Sequence, residues 1–116
     1  MKQQRMARVD HELQRAVAKI ISEEIKDPRM GFVTVTRTEI TSDMMHCKVF
    51  VSIIGDRHAA RQSMDALKSA SGYIRGELGA LVKLRHTPEL VFVEDRSTER
   101  AIELSKTLAK TQVMDE

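Results

Sequence analysis

A regular alternation of side chains over residues 45–53 is the feature that most restricts what this chain can fold into. Apolar residues occupy every second position, namely Met45, Cys47, Val49, Val51 and Ile53. Because neighbouring side chains of a β-strand point to opposite faces of the sheet, this period of two predicts a strand with one apolar face. Residues 32–40, rich in Val and Thr, predict a second strand, and the Thr41-Ser42-Asp43 segment between them is typical of a turn. The two segments therefore predict a β-hairpin.

Helical patterns lie on both sides of this hairpin. Residues 7–25 repeat apolar side chains at helical spacing. This helix is expected to end before Asp27-Pro28, because the residue preceding a proline is pushed out of helical geometry. Residues 57–70 and 74–82 form two further helical patterns, and the small residues between them predict a break or kink.

The C-terminal part of the chain adds one strand and one helix. Residues 90–93 are a short apolar run that predicts a buried strand, and Ser97 is a suitable N-cap for a last helix over residues 101–108. The order is then helix, strand, strand, helix, kinked helix, strand, helix. This order indicates an α+β domain with helices packed on a three-stranded sheet. We expect one domain over residues 1–110 and a frayed C-terminal tail over residues 111–116.

Composition argues against several classes of function. The chain has one cysteine, which excludes an internal disulfide and fits a reducing cytoplasm. We expect a cytoplasmic protein without a membrane span, because no secretory signal pattern and no apolar run of roughly 20 residues is present. The four histidines lack metal-ligand spacing, and no phosphate-binding loop or nucleophile motif occurs. We therefore expect no metal, no cofactor and no catalytic residue.

The cysteine allows two interpretations. Cys47 belongs to the apolar set of its strand, so a buried core thiol is expected. The alternative is a nucleophile paired with His46, but adjacent residues of a strand point to opposite faces and do not pair simply.

Two lines of basic side chains indicate a polyanionic partner. The first lies on the first predicted helix and consists of Arg8, Arg15, Lys19 and Lys26. The second lies on the second helical region and consists of Arg57, Arg61, Lys68 and Arg75. In the first line the residues fall within roughly 40° of one another, at about 100° per residue, and the second line lies close to one face if the helix register survives the kink. Such lines suit a nucleic-acid backbone, and an ordinary solvated helix face is the alternative.

Charge is distributed unevenly along the chain. Residues 68–88 carry four basic side chains against one acidic, whereas residues 89–116 carry seven acidic side chains against four basic. This polarity predicts that the acidic C-terminal end faces away from a nucleic acid. Aromatic residues are scarce, with three Phe, one Tyr and no Trp, so we expect contact through phosphate, sugar and shape rather than through base stacking.

Two short segments are candidates for close approach to a nucleic-acid backbone. Residues 76–79 read G-E-L-G, the G-x-x-G pattern of KH-domain clamps, but the glutamate would repel phosphate. The Ala70-Ser71-Gly72 segment is the better candidate, because its small side chains permit close approach and basic residues flank it on both sides.

Together these segments resemble ribosome-binding factor A, a family of bacterial assembly factors of the small ribosomal subunit. The most specific part is residues 84–99, with the sequence LRHTPELVFVEDRSTE. The other matching parts are Arg8-Val9, residues 25–29 (IKDPR) with Val33-Thr34-Val35, residues 48–52 (KVFVS) and Ile74-Arg75. The resemblance covers nearly the whole chain.

The resemblance implies a type II KH-like fold in which an Ala-x-Gly kink, here Ala70-Ser71-Gly72, stands where a G-x-x-G loop would be. It implies binding to rRNA of the immature small subunit, near the neck and the decoding region, during late processing. It also implies release before translation with the help of an assembly GTPase, and the greatest importance in the cold. The chain stops soon after its last predicted helix, so no role of a longer tail is expected.

We therefore predict a monomeric, non-catalytic factor that binds rRNA of the small ribosomal subunit. The residues expected to contact RNA are Arg5, Arg8, Arg15, Lys19, Lys68, Ala70, Ser71, Gly72, Arg75, Lys83 and Arg85. The alternative is a basic protein-interaction module that docks an acidic partner without RNA, and a small enzyme that uses Cys47 ranks last. The Asp27-Pro28-Arg29 loop is either a helix stop or a functional loop, and strand order is open at this point.

Overall fold

A three-stranded sheet covered on one face by two helices forms the domain. The computed structural model describes residues 2–96. Its elements are α1 (Lys2–Glu24), β1 (Phe32–Ile40), β2 (His46–Ile54), α2 (Arg57–Leu81) and β3 (Glu89–Glu94). The strand order is β1-β2-β3, with β1 antiparallel and β3 parallel to the central β2. The α+β architecture is thereby confirmed, whereas the helix expected after Ser97 and the tail over residues 111–116 lie outside the described residues.

The β1–β2 hairpin agrees closely with its prediction. β1 covers residues 32–40 as expected, and β2 begins at His46, one residue later than the alternation suggested. Cys47 and Val51 of the apolar set are fully buried, because the helices cover that face of the sheet. A β-bulge at Thr36 shifts the register once along β1, which increases the local twist of the hairpin.

α1 packs against β1 and α2 through one apolar face. Leu13, Val17 and Ile20 on this face have no exposed surface. The helix ends at Glu24, before the proline, as expected. Lys26 therefore lies beyond α1, and its assignment to the basic line of the first helix is wrong.

Asp10 fastens α1 to the end of β1. Its backbone carbonyl accepts a hydrogen bond from the hydroxyl of buried Thr38 at 2.6 Å, and its carboxylate accepts from the backbone N–H of Ile40 at 2.7 Å. Partial burial raises the pKa of Asp10, and the hydrogen bond from Ile40 acts against that rise. These contacts fix the N-terminal half of α1 relative to the β1–β2 turn.

α2 is one uninterrupted helix, so the break expected at Ala70-Ser71-Gly72 is wrong. Leu67 and Ile74 on either side of this segment are fully buried, and burial of an apolar face outweighs the low helix propensity of small residues. The Ser71 hydroxyl donates to the carbonyl of Lys68 at 2.8 Å, within the helix. Such bonding often bends a helix, so a bend in the continuous α2 stays a prediction.

Cys47 lies in the core between the sheet and the helices, as expected. Its side chain is fully buried, and desolvation raises the pKa of the thiol to about 12. This burial confirms the interpretation of Cys47 as a core thiol. A buried and protonated thiol is also a poor nucleophile.

Candidate nucleic-acid interface

The outer side of α1 carries the first group of predicted contacts. Arg8, Arg15 and Lys19 are exposed, on the side of the helix turned away from the buried Leu13 and Val17. Within roughly 40° of arc they form a line of positive charge on a rigid element, as their spacing predicted. These three cations are exposed over residues 8–19 of α1.

The basic side chains of α2 lie beside a cleft between α2 and the end of β3, here called the α2–β3 cleft. It has a volume of about 380 Å³. Its charged residues are Arg57, Arg61, Asp65, Lys68, Glu94 and Arg96. Because α2 is uninterrupted, its cations keep the common direction that their spacing predicted. The sequence did not point to Arg96, which reaches this site only because β3 ends beside α2; its Nε donates to a Glu94 carboxylate oxygen at 3.3 Å.

A second cleft of about 360 Å³ brings together three separate parts of the chain, and is here called the methionine cleft. These parts are the N-terminal end of α1, the β1–β2 turn and the loop between α2 and β3. Its residues are Arg5, Asp43, Met44, Met45, Lys83, Leu84, Arg85 and His86. Three predicted contacts, Arg5, Lys83 and Arg85, therefore share one site, although spacing along the chain gave no sign that the first lies beside the other two.

Arg75 is placed differently from the other predicted cations. Its Nη2 and Nε donate to the backbone carbonyl of Thr87 at 2.9 and 3.2 Å. Gly79 also approaches Thr87 closely, because a Cβ at this position would lie 2.9 Å from the threonine hydroxyl oxygen. Arg75 thus holds the loop that carries two cations of the methionine cleft. The G-E-L-G segment over residues 76–79 is part of the continuous helix α2 and forms no loop, and its last residue, Gly79, approaches Thr87.

The Ala70-Ser71-Gly72 segment lies on an open part of α2. Gly72 is exposed, and a Cβ added there would meet no atom within 4 Å. Ala70 lies in a hollow of about 260 Å³ with Tyr73 and Asp27, where α2 passes the C-terminal end of α1. The segment is therefore accessible, with space for a partner's backbone above it.

The Asp27-Pro28-Arg29 loop is held in one conformation. The Asp27 carboxylate accepts from the Arg29 guanidinium at 2.8 Å and from its backbone N–H at 2.9 Å, and the guanidinium hydrogen bond lowers the pKa of Asp27. Ser63, buried in α2, accepts from the backbone N–H of Gly31 at 2.9 Å. These contacts agree with a rigid helix stop.

Metal-ligating clusters, unpartnered buried polar side-chain atoms and membrane-spanning helices are absent from residues 2–96. No three His, Cys, Asp or Glu side chains in this range lie close enough together to hold a metal ion. Every buried polar side-chain atom described in this range has a hydrogen-bond partner. Among the helices of the same range, none is long and apolar enough to cross a membrane.

Known proteins similar in sequence identify the family of this chain. The family model described as ribosome-binding factor A matches residues 5–108. This chain belongs to that family. Ribosome-binding factor A of Desulfitobacterium hafniense is 44% identical over 108 residues, which cover 93% of this chain and 86% of the relative. The resemblance inferred from the sequence is confirmed.

Solved structures of the ribosome-binding factor A family share the fold. The crystal structure of the Thermus thermophilus member has a TM-score of 0.71 at 26% identity, covering 79% of this chain and 98% of that chain. A Thermus thermophilus homology model of the factor, fitted into the cryo-electron microscopy map of a complex with 30S, has a TM-score of 0.66 at 27% identity. That comparison covers 78% of this chain and 96% of the other. The two helices and the three-stranded sheet are therefore a family property.

Proposed function

We propose that this chain binds rRNA of the immature small ribosomal subunit, assists late rRNA processing and then leaves. The observation that carries the proposal is that residues 2–96 bring together two clefts with several cations each and one outward basic helix face. Cations held on rigid elements suit a phosphate backbone, whose contacts set position and dominate affinity. The family name and the 30S complex of the Thermus relative support this choice of partner.

The proposed mechanism is positional and not catalytic. Arg8, Arg15 and Lys19 on α1 and Lys68 on α2 contact phosphates, and the small residues 70–72 let the RNA backbone approach α2 closely. Bound in this way, the factor favours one rRNA conformation by the difference between its affinities for the alternatives. In this proposal an assembly GTPase promotes release, and the factor acts as a cytoplasmic monomer without metal or cofactor.

Gradient sedimentation of cell extract at low and moderate salt tests the proposal. We expect the protein to migrate with free small subunits, to be absent from translating ribosomes, and to leave the subunits as salt rises. Lys68→Ala should dissociate at lower salt than the wild type, because each phosphate contact contributes about one unit of slope in the logarithmic salt dependence. Arg37→Ala is the matched control, since Arg37 is exposed on the open face of the sheet and stacks on Phe50 at 4.0 Å. A wild-type protein that stays at the top of the gradient at both salts contradicts the proposal.

Docking of an acidic protein partner is the second candidate function. The exposed cations of α1 would attract acidic side chains, and Phe32 and Ile54 would add apolar contact, because they face each other across the hairpin and are 78% and 72% exposed. Adjacent apolar side chains this exposed are common at protein interfaces. Affinity for ribosomal proteins stripped of rRNA, with no affinity for intact subunits, would support this candidate over RNA binding.

A further inference from the structure

We propose that the methionine cleft binds one unpaired nucleotide of the rRNA, an inference that rests on the proposed function and specifies what this site recognises. The base lies on the apolar side chains of Met44, Met45 and Leu84, which take the place of the aromatic rings that are scarce in this chain, so this site departs from the expectation of contact without base packing. The phosphates on either side of it contact the cations that share the cleft, which are Arg5, Lys83 and Arg85. Three independent properties of the cleft support this assignment: the hydrogen bonds that hold its walls, the exposure of its cations and its apolar surface.

The wall formed by the β1–β2 turn is held by several short hydrogen bonds. The Asp43 carboxylate accepts from the Thr41 hydroxyl at 2.6 Å and from the Met45 backbone N–H at 2.9 Å. The backbone N–H of Met44 donates to the Thr41 carbonyl at 2.8 Å, and Met44 has a φ of 61°, in the left-handed region. This conformation is uncommon for a residue other than glycine, so the turn is strongly determined by its surroundings.

The opposite wall, the loop between α2 and β3, is fixed as well. Arg75 holds its Thr87 carbonyl with two hydrogen bonds, and Pro88 is fully buried. The backbone N–H of Glu89 then donates to the Met45 carbonyl at 2.9 Å, which joins this wall directly to the turn. A cleft whose walls are fixed before binding loses little conformational entropy when a ligand enters.

The cations of the cleft are free to contact a ligand. Arg5, Lys83 and Arg85 are exposed, and none of them forms an ion pair with another residue of the described range 2–96. Each could therefore take a phosphate without first breaking an ion pair to another residue of the range 2–96. Because they come from two different elements, they lie around the cleft and do not form a single line.

The apolar part of the cleft distinguishes a nucleotide from a bare phosphate. Met45 is 46% exposed and Met44 and Leu84 are partly buried, so the cleft offers apolar and polarisable surface that a phosphate alone would not use. Methionine sulfur packs well against flat π-systems, and unpaired bases in RNA offer such a face to the proteins that bind them. Asp43 repels phosphate from this surface but can accept hydrogen bonds from base amino groups.

The test measures the affinity of the full chain for a short single-stranded RNA and for the same RNA with abasic central nucleotides. The abasic RNA keeps every phosphate, so only the contribution of the bases changes. We expect the wild type to bind the intact RNA about fivefold more tightly, within the range for one contact between a methionine sulfur and a flat ring. Met45→Ala should reduce this preference to about twofold with an unchanged salt slope, because only apolar contact is lost. Lys83→Ala should keep the preference and lower the slope by about one.

Met30→Ala is the matched control, because Met30 is a partly buried methionine that lies outside both named clefts. It should keep the full preference for intact RNA, and melting curves confirm that each variant is folded. Equal binding of the two RNAs by the wild type, or an unchanged preference in Met45→Ala, overturns the inference. Migration with small subunits but no base preference would remove this inference and leave the proposed function standing. A base preference without such migration would support the cleft and contradict the proposed function.

Discussion

Replacement of Gly72 by alanine should stabilise the protein and weaken its binding to RNA. Gly72 lies inside α2, is exposed, and has no atom within 4 Å of the position that a Cβ would take. Glycine in a helix interior costs about 1 kcal/mol relative to alanine, mainly through backbone entropy. Because no neighbouring atom opposes the added methyl group, we expect nearly all of this free energy to be added to the free energy of unfolding. For a domain of this size it corresponds to a rise in melting temperature of about 4 °C.

Thermal and urea unfolding of three parallel variants provide the assay. Gly76→Ala is the matched control, because its Cβ also meets no atom within 4 Å, and it should give the same gain. Gly79→Ala should gain little or lose stability, because its Cβ would lie 2.9 Å from the Thr87 hydroxyl oxygen and disturb the loop. A stabilised Gly76→Ala beside a neutral or destabilised Gly72→Ala would refute the reasoning, since it would mean that the backbone at Gly72 is not regular helix.

Measuring the affinity for small subunits distinguishes the effect of Gly72→Ala on RNA binding from its effect on stability. If RNA approaches α2 over the small residues 70–72, the added methyl group should make the Gly72→Ala variant bind RNA about fivefold more weakly than the wild type. This factor corresponds to the loss of roughly one hydrogen bond. Gly76→Ala lies one turn further along α2 and should bind as the wild type does. Equal affinity of Gly72→Ala and wild type would remove residues 70–72 from the proposed interface while leaving the stability argument intact.

Three further outcomes follow from the contacts of single side chains. Arg75→Ala should lower the melting temperature, because two hydrogen bonds to the loop are lost. It should also change the salt slope of RNA binding less than Lys68→Ala does. Equal slopes in both variants would mean that Arg75 contacts phosphate. The Cys47 thiol, with its pKa raised to about 12 by burial, should react with a thiol reagent at pH 8 only after unfolding, and rapid labelling of native protein would contradict its place in the core. Hydrogen bonds from Thr41 and Met45 lower the pKa of Asp43 below 3.8, so the carboxylate stabilises the fold above pH 3.8 and this contribution is lost as the pH falls through the folded-state pKa. The difference in unfolding free energy between wild type and Asp43→Ala, measured by urea unfolding, should therefore shrink from pH 7 to pH 2.5. A constant difference would contradict this account.

Local patterns predicted most of the secondary structure because the responsible forces act between near neighbours. The alternation around Cys47 predicted the start of β2 to within one residue. The proline at residue 28 predicted the end of α1 to within one residue. The expected break in α2 was wrong because propensity is a local quantity, whereas burial of Leu67 and Ile74 depends on the whole fold. The parallel direction of β3 depends on where α2 returns the chain, which no local pattern records.

The candidate site shows the same division. Regular spacing predicted that Lys68 and its neighbours on α2 share a direction, since that is a property of one helix. It did not predict that Arg5 lies beside Lys83, because their proximity depends on the packing of both helices on the sheet. Nor did it predict that Arg75 supports a loop, since a cation bound to a backbone carbonyl has no signature in composition.

The parallel pairing of β3 with β2 has a consequence for the order in which the protein becomes active during synthesis. β2, α2 and β3 form a crossover unit, so β3 can join the sheet only after all of α2 has been made and folded back. The bond from Glu89 to Met45 lies where this pairing begins, beside the methionine cleft. Non-local pairing of this kind is a late and slow step in folding. A chain in which β3 has not yet paired displays the α1 cations but has no complete cleft, so under the proposed function only molecules with a finished sheet would bind the subunit with full affinity.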